Sequence, residues 1–177
     1  LRTSKKVYNR SLIASMIDEY GFDQTKEVVS GWISNLATEV FSNDTNALKA
    51  VSSGQCGMTI VNTYYLARLL GDQKYDNLSL FWANQDDRGV HVNISGAGVV
   101  KTSKNKKNAV LLLEYLSSDK AQDFYASANK EYPVLLGAKT DESILGWGEF
   151  KEDNINVSKL GSLQRDAVFL AQEANYK

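Results

Sequence analysis

The stretch from Met58 to Gly71 constrains this chain more than any other. Met58 to Val61 is a short apolar run that predicts a buried strand. Leu66, Leu69 and Leu70 then follow a helical spacing, and Gly71 is a natural stop for a helix. Leu78 to Trp82 and the valine-rich Val90 to Thr102 read as further extended segments. Strand patterns alternating with helical patterns predict an α/β fold up to Thr102.

The helical segments follow from apolar spacing. Tyr8 opens a helix carrying Leu12, Ile13, Met16, Ile17 and Tyr20, with Gly21 as its stop. Asp23 is expected to cap the next, with Val28, Val29, Trp32, Ile33 and Leu36 on its buried face. Asn43 and Asp44 precede a third, with Ala47, Leu48 and Val51, ended by Gly54. Val110, Leu111, Leu113 and Leu116 mark a fourth after the basic stretch Lys104 to Asn108. Ser118-Asp119 starts another, with Ala121, Phe124, Tyr125 and Ala128, and Tyr132-Pro133 ends it. A last helix is expected from about Lys159 to Asn175. Gly96 and Gly98 interrupt the valine-rich stretch and mark a crossing between two lobes.

Several function classes are disfavoured. A net charge of -1 and a pI near 5.9 argue against a nucleic-acid partner. No apolar run approaches the roughly 18 residues of a membrane helix. The single cysteine, Cys56, forms no intrachain disulfide and no cysteine metal cluster; it reads as a small buried residue at a strand start. The single histidine, His91, sits in an alternating stretch and reads as structural, so no catalytic triad is expected. Leu1-Arg2-Thr3-Ser4 reads as the tail of a strand already under way, so an N-terminal portion is expected to lie outside this sequence.

Tyr64 and Tyr65 stand where the predicted strand meets the predicted helix, the corner at which open α/β sheets bind ligands. Arg68 lies four residues after Tyr64 and three after Tyr65, so a helix puts it on their side. Tyr8 begins another helix. Phenols have a pKa near 10, so a metal must displace their protons to bind them. Helix N-termini and a nearby guanidinium both favour the phenolate. Three phenolates would neutralise a trivalent ion, and ferric iron is a hard ion that prefers oxygen anions. On spacing alone, a Tyr-Tyr pair also fits ordinary packing.

Tyr8-Asn9-Arg10-Ser11-Leu12-Ile13-Ala14-Ser15, taken with Asn62-Thr63-Tyr64-Tyr65-Leu66-Ala67-Arg68-Leu69, resembles the ferric-ion-binding proteins of bacterial iron ABC transporters. The resemblance is to their iron-deficiency-induced, tyrosine-rich branch. Asn43-Asp44, Ala50 to Cys56 and His91-Val92-Asn93-Ile94-Ser95-Gly96 resemble that family as well. It implies a two-lobed periplasmic binding protein fold of type II that captures ferric iron, Fe(3+), as transported ligand. It also implies delivery to a permease in the cytoplasmic membrane and a periplasmic or otherwise extracytoplasmic, membrane-associated location.

By that resemblance Tyr8, Tyr64 and Tyr65 are iron ligands, and Arg68, Arg10 and Asn62 support them. With Tyr8 and Arg68 present, a synergistic anion is expected to be dispensable. Residues 1–94 and 146–177 would form the second lobe, and 95–145 would return to the first, most of which is missing and would be a partner. No enzyme activity is expected. The open alternatives are a binding protein for an oxyanion or polyamine, and an enzyme or sensor on a similar two-lobed fold.

Overall fold

The computed structural model describes all of residues 1–177. It is helix-rich. In chain order the helices are α1 (Val7–Tyr20), α2 (Phe22–Ser34), α3 (Asp44–Ser52), α4 (Thr63–Ala67), α5 (Lys106–Leu116), α6 (Asp119–Asn129), α7 (Glu142–Leu145), α8 (Val157–Ser162) and α9 (Gln164–Glu173), with a single 3-10 turn at Gln73–Tyr75. No helix is long and apolar enough to cross a membrane. The chain divides into two compact units. The larger comprises Leu1–Asn62, Gly71–Asn93 and Glu149–Lys177, and the smaller Thr63–Leu70 and Ile94–Gly148.

The larger unit is built on α1. Its buried face, Ile13, Ala14 and Ile17, meets Val29 of α2, Leu160 of α8, and Ala167, Leu170 and Ala171 of α9. Gly21 ends α1 at φ +77° and its amide returns to the Ile17 carbonyl at 2.9 Å. A left-handed residue there suits glycine, which has no Cβ to clash. The same glycine is also the N-cap of α2, so Asp23 falls inside the first turn instead of capping it. Val28, expected on the buried face of α2, is exposed; Val29 and Thr25 are fully buried, and Trp32 and Ile33 pack partly against the core. Asn43 caps α3, its side-chain oxygen accepting from the Asn46 amide at 2.8 Å. The expected last helix is two helices, α8 and α9, parted at Leu163.

The three expected strands are not formed. Pairing is limited to two isolated parallel bridges, Arg2 with Phe41 and Val90 with Glu152. A strand exists only by β-pairing, and neither Met58–Val61 nor Leu78–Trp82 takes part in a bridge or ladder. Their side chains show it: Met58 is 86% exposed and Phe81 87%. Val90 alone of the valine-rich stretch is paired, donating to the Lys151 carbonyl and accepting from the Asp153 amide, both at 2.9 Å. Gly89 permits this approach; a Cβ there would lie 2.6 Å from the Glu152 backbone.

The smaller unit contains α4 to α7. Its buried side chains are Leu66 and Ala67 of α4, Ala121 and Ala126 of α6, and Ile144 of α7. The helix α5 buries no side chain fully, and Val110, Leu111, Leu112 and Tyr115 face solvent. Lys130 closes α6 in the left-handed region at φ +61° and pairs with Asp141 at 2.8 Å.

Candidate metal centre

The two tyrosines of the corner lie in α4, in the smaller unit. This helix is a single turn of five residues. A macrodipole grows with the number of aligned peptides, so α4 supplies little of the positive potential expected from a helix N-terminus. The Arg68 guanidinium supplies it instead. Its central carbon lies 4.9 Å from the Tyr64 ring centroid and 5.9 Å from that of Tyr65. The two rings stand 4.4 Å apart at 38°. The Arg68 amide donates to the Tyr64 carbonyl at 3.1 Å, which carries the helical turn one residue further and swings the guanidinium back over the rings. At its other end the guanidinium donates to the Asn129 carbonyl at 3.5 Å. Both rings are half-buried and Arg68 is exposed.

Tyr8 lies in the larger unit, second residue of α1. Its hydroxyl donates to Asp44 Oδ2 at 2.6 Å. Asp44 is fully buried at the start of α3 and makes an ion pair with Arg2, whose guanidinium also lies over the Tyr8 ring at 5.4 Å. Arg2 and Asp44 were not among the residues expected at the site. They lie 42 residues apart in sequence, and no spacing rule links them to Tyr8. Arg10, expected to assist Tyr8, donates through Nε to the Ser4 carbonyl at 3.2 Å. Asn62, in the larger unit, accepts from the Asn93 side-chain amide at 2.8 Å.

Tyr176 is a structural tyrosine. It is buried, and its hydroxyl donates to the Arg2 carbonyl and accepts from Asn9 at 3.2 Å. Burial, helped by the negative charge of Asp44, pushes its pKa well above the ordinary phenol range. No group of three or more His, Cys, Asp or Glu side chains is arranged to hold a metal ion. His91 hydrogen-bonds through Nε2 to Asn93 Oδ1 at 3.3 Å.

Residues 37–123 match the family model of bacterial extracellular solute-binding proteins. The chain is 42% identical over 183 residues to iron uptake protein A1 of Synechocystis, an alignment that spans all of this chain and 51% of that protein. Its backbone superposes on the Trichodesmium IdiA/FutA protein in complex with iron and citrate, with a TM-score of 0.93 and 40% identity, covering 100% of this chain and 58% of that one. The ferric binding protein from Campylobacter jejuni gives a TM-score of 0.94 at 31% identity, covering 99% of this chain and 58% of that one. The chain is therefore similar, in sequence and in backbone, to bacterial ferric-iron-binding proteins. It shares the fold of these two-lobed proteins along its whole length, although helices dominate its own regular structure. The proteins it resembles are described as iron uptake, ferric-iron-binding and extracellular solute-binding proteins. The chain spans about half the length of the curated relatives it matches.

Proposed function

We propose that this chain is part of an extracytoplasmic binding protein that captures ferric iron through tyrosinate ligands and delivers it to an ABC transporter permease. Tyr64 and Tyr65 are the proposed ligands from the smaller unit and Tyr8 the ligand from the larger, with the Arg68 guanidinium over the rings of the pair. Residues 1–94 and 146–177 correspond in this reading to the second lobe and 95–145 to a return into the first. The remaining first lobe is the partner that completes the cleft, and the periplasm is the proposed compartment.

The observation that carries the reading is the closely set, tilted Tyr64–Tyr65 pair under a single guanidinium. Two phenol rings with centroids 4.4 Å apart, on adjacent residues, are the pair from which both oxygens could reach one ion. A cation on both ring faces stabilises negative charge there by Coulomb attraction. Two phenolates with Tyr8 balance a trivalent ion, so it can be bound without leaving net charge in a partly buried site.

The test is a ferric titration followed in the visible, where iron tyrosinates absorb. The unsubstituted chain gives the band, and Tyr64→Phe and Tyr65→Phe each remove most of it. A full, unchanged band in both variants rules out tyrosinate ligation and leaves an oxyanion or polyamine as the cargo to try.

A further inference from the structure

We propose that Arg2 and Asp44 are positioning residues for Tyr8: together they fix where its phenolic oxygen stands before cargo arrives. This inference rests on the reading of Tyr8 as an iron ligand and names the residues that would preorganise it.

Tyr8 is gripped on two sides. The Arg2 guanidinium lies over its ring face at 5.4 Å, and Asp44 Oδ2 accepts from its hydroxyl at 2.6 Å. One contact fixes the ring plane and the other the direction of the C–O bond, which leaves the side chain little torsional freedom; when iron displaces the phenolic proton, Asp44 Oδ2 is the acceptor placed to take it, so the phenolate does not face a second anion. The grip is itself anchored without help from Tyr8. Asp44 has no exposed surface and opens α3, whose cap is Asn43. The Arg2 backbone is bridged to Phe41, and its carbonyl accepts from the Tyr176 hydroxyl and from Asn9 Nδ2 at 3.3 Å.

Ordinary packing explains this arrangement poorly. A buried ion pair gives little net stability over apolar residues of the same size. Holding a functional side chain in place is a better account of it, because supporting groups decide how sharply a metal-binding side chain is oriented. The smaller unit repeats the pattern, with Arg68 stacked over both Tyr64 and Tyr65. Each proposed ligand therefore lies under an arginine, and the arginine at Tyr8 is Arg2, since Arg10 turns to the Ser4 carbonyl.

A double-substitution cycle on ferric affinity tests the proposal, using Asp44→Asn, Tyr8→Phe and the two combined. Groups that orient a metal-binding side chain typically change affinity about 10–100-fold. Asp44→Asn is expected to weaken binding by about 10-fold and to add nothing once Tyr8 is phenylalanine. An equal loss in both backgrounds, or none in either, overturns the proposal. Should Asp44→Asn not fold, Arg2→Lys retains a cation for Asp44 but removes the planar group from the ring. It should shift the tyrosinate absorption maximum and lower affinity several-fold, and an unmoved maximum with unchanged affinity counts against the idea. The two levels fail differently. A band abolished by Tyr65→Phe but untouched by Asp44→Asn and by Arg2→Lys sinks this inference alone. No band in the unsubstituted chain sinks the iron reading and this inference with it.

Discussion

The side-chain amide of Asn93 donates to the side-chain oxygen of Asn62 at 2.8 Å, and each asparagine is the last residue of its stretch of the larger unit. The bond joins two points at which the backbone leaves that unit. His91 holds Asn93 from the other side, Nε2 to Oδ1 at 3.3 Å. Asn62, expected from the sequence to support the ligands, is thus tied into the framework just before Thr63. A hydrogen bond of this kind contributes about 0.5–1.5 kcal/mol net. Asn93→Ala should lower stability by about that amount in urea unfolding and speed amide exchange at Thr63 and Ile94. Unaltered exchange at both would show that the bond restrains neither exit.

His91 gives a pH dependence whose sign can be worked out. Burial lowers its pKa below the ordinary histidine value; hydrogen bonding to Asn93 and the charge of Asp153 oppose the shift, and Arg88 adds to it. The unfolded chain therefore takes up a proton on this side chain first as pH falls. Stability is full above about pH 6.5, the unfolded value, and declines below it towards the folded value. One site changes the slope by at most about 1.4 kcal/mol per pH unit. His91→Gln should flatten the loss of stability between pH 7 and pH 5 by up to that much. Parallel stability curves for the two proteins would assign the acid sensitivity elsewhere.

The core makes a sharper contrast between neighbouring positions than hydrophobicity predicts. Leu170 is fully buried against α1 and α2, while Val28 is 39% exposed one residue from the fully buried Val29. Leu170→Ala should cost about 2–5 kcal/mol, from lost transfer energy and the cavity left behind. Val28→Ala should stay within about 0.5 kcal/mol, as surface substitutions do. Chemical unfolding of both variants checks this. A large loss at Val28 would mean that its face of α2 is covered in solution.

These positions also show what could be read from sequence. The α1 helix, its Gly21 stop and a third helix starting after Asn43 were legible, because each depends on neighbours within a turn. So was Arg68 beside Tyr64 and Tyr65, a relation set by helical spacing. The extended segments were misread as strands because strand formation depends on a partner segment that local pattern does not reveal. Arg2 and Asp44 were missed for the same physical reason: only tertiary packing brings residues 42 apart onto one phenol. Arg10 was expected from the family resemblance; in the structure its Nε donates to the Ser4 carbonyl, as two residues along a helix point to different faces.

In the smaller unit, Asp141 should titrate unusually low. The Lys130 ammonium, together with the hydroxyl and amide of Ser143, holds its carboxyl at about 2. Its folded pKa lies below the ordinary value of 3.8, so its contribution to stability is present above that value and is lost as pH falls through about 2. Carbon-13 NMR of the carboxyl should give a midpoint near that value, and Lys130→Ala should move it upward. An unmoved midpoint would leave Ser143 as its main cause.

The last prediction separates a ligand from its support at the tyrosine corner. Arg68 is exposed and touches the rings only through their faces, and exposed cation–π contacts are worth about 0.5–1 kcal/mol. Arg68→Ala should therefore weaken ferric binding by only about 2–5-fold. Tyr65→Phe removes a proposed oxygen ligand outright and should cost more than the roughly 10–100-fold typical of supporting groups. Protons compete with iron for the phenolates, so acid should release iron from the unsubstituted chain. Ferric titrations at two pH values distinguish the roles. Equal losses in Arg68→Ala and Tyr65→Phe would make Arg68 a primary determinant, and a release profile that stays flat down to about pH 4 would exclude phenolate ligands with their ordinary pKa near 10.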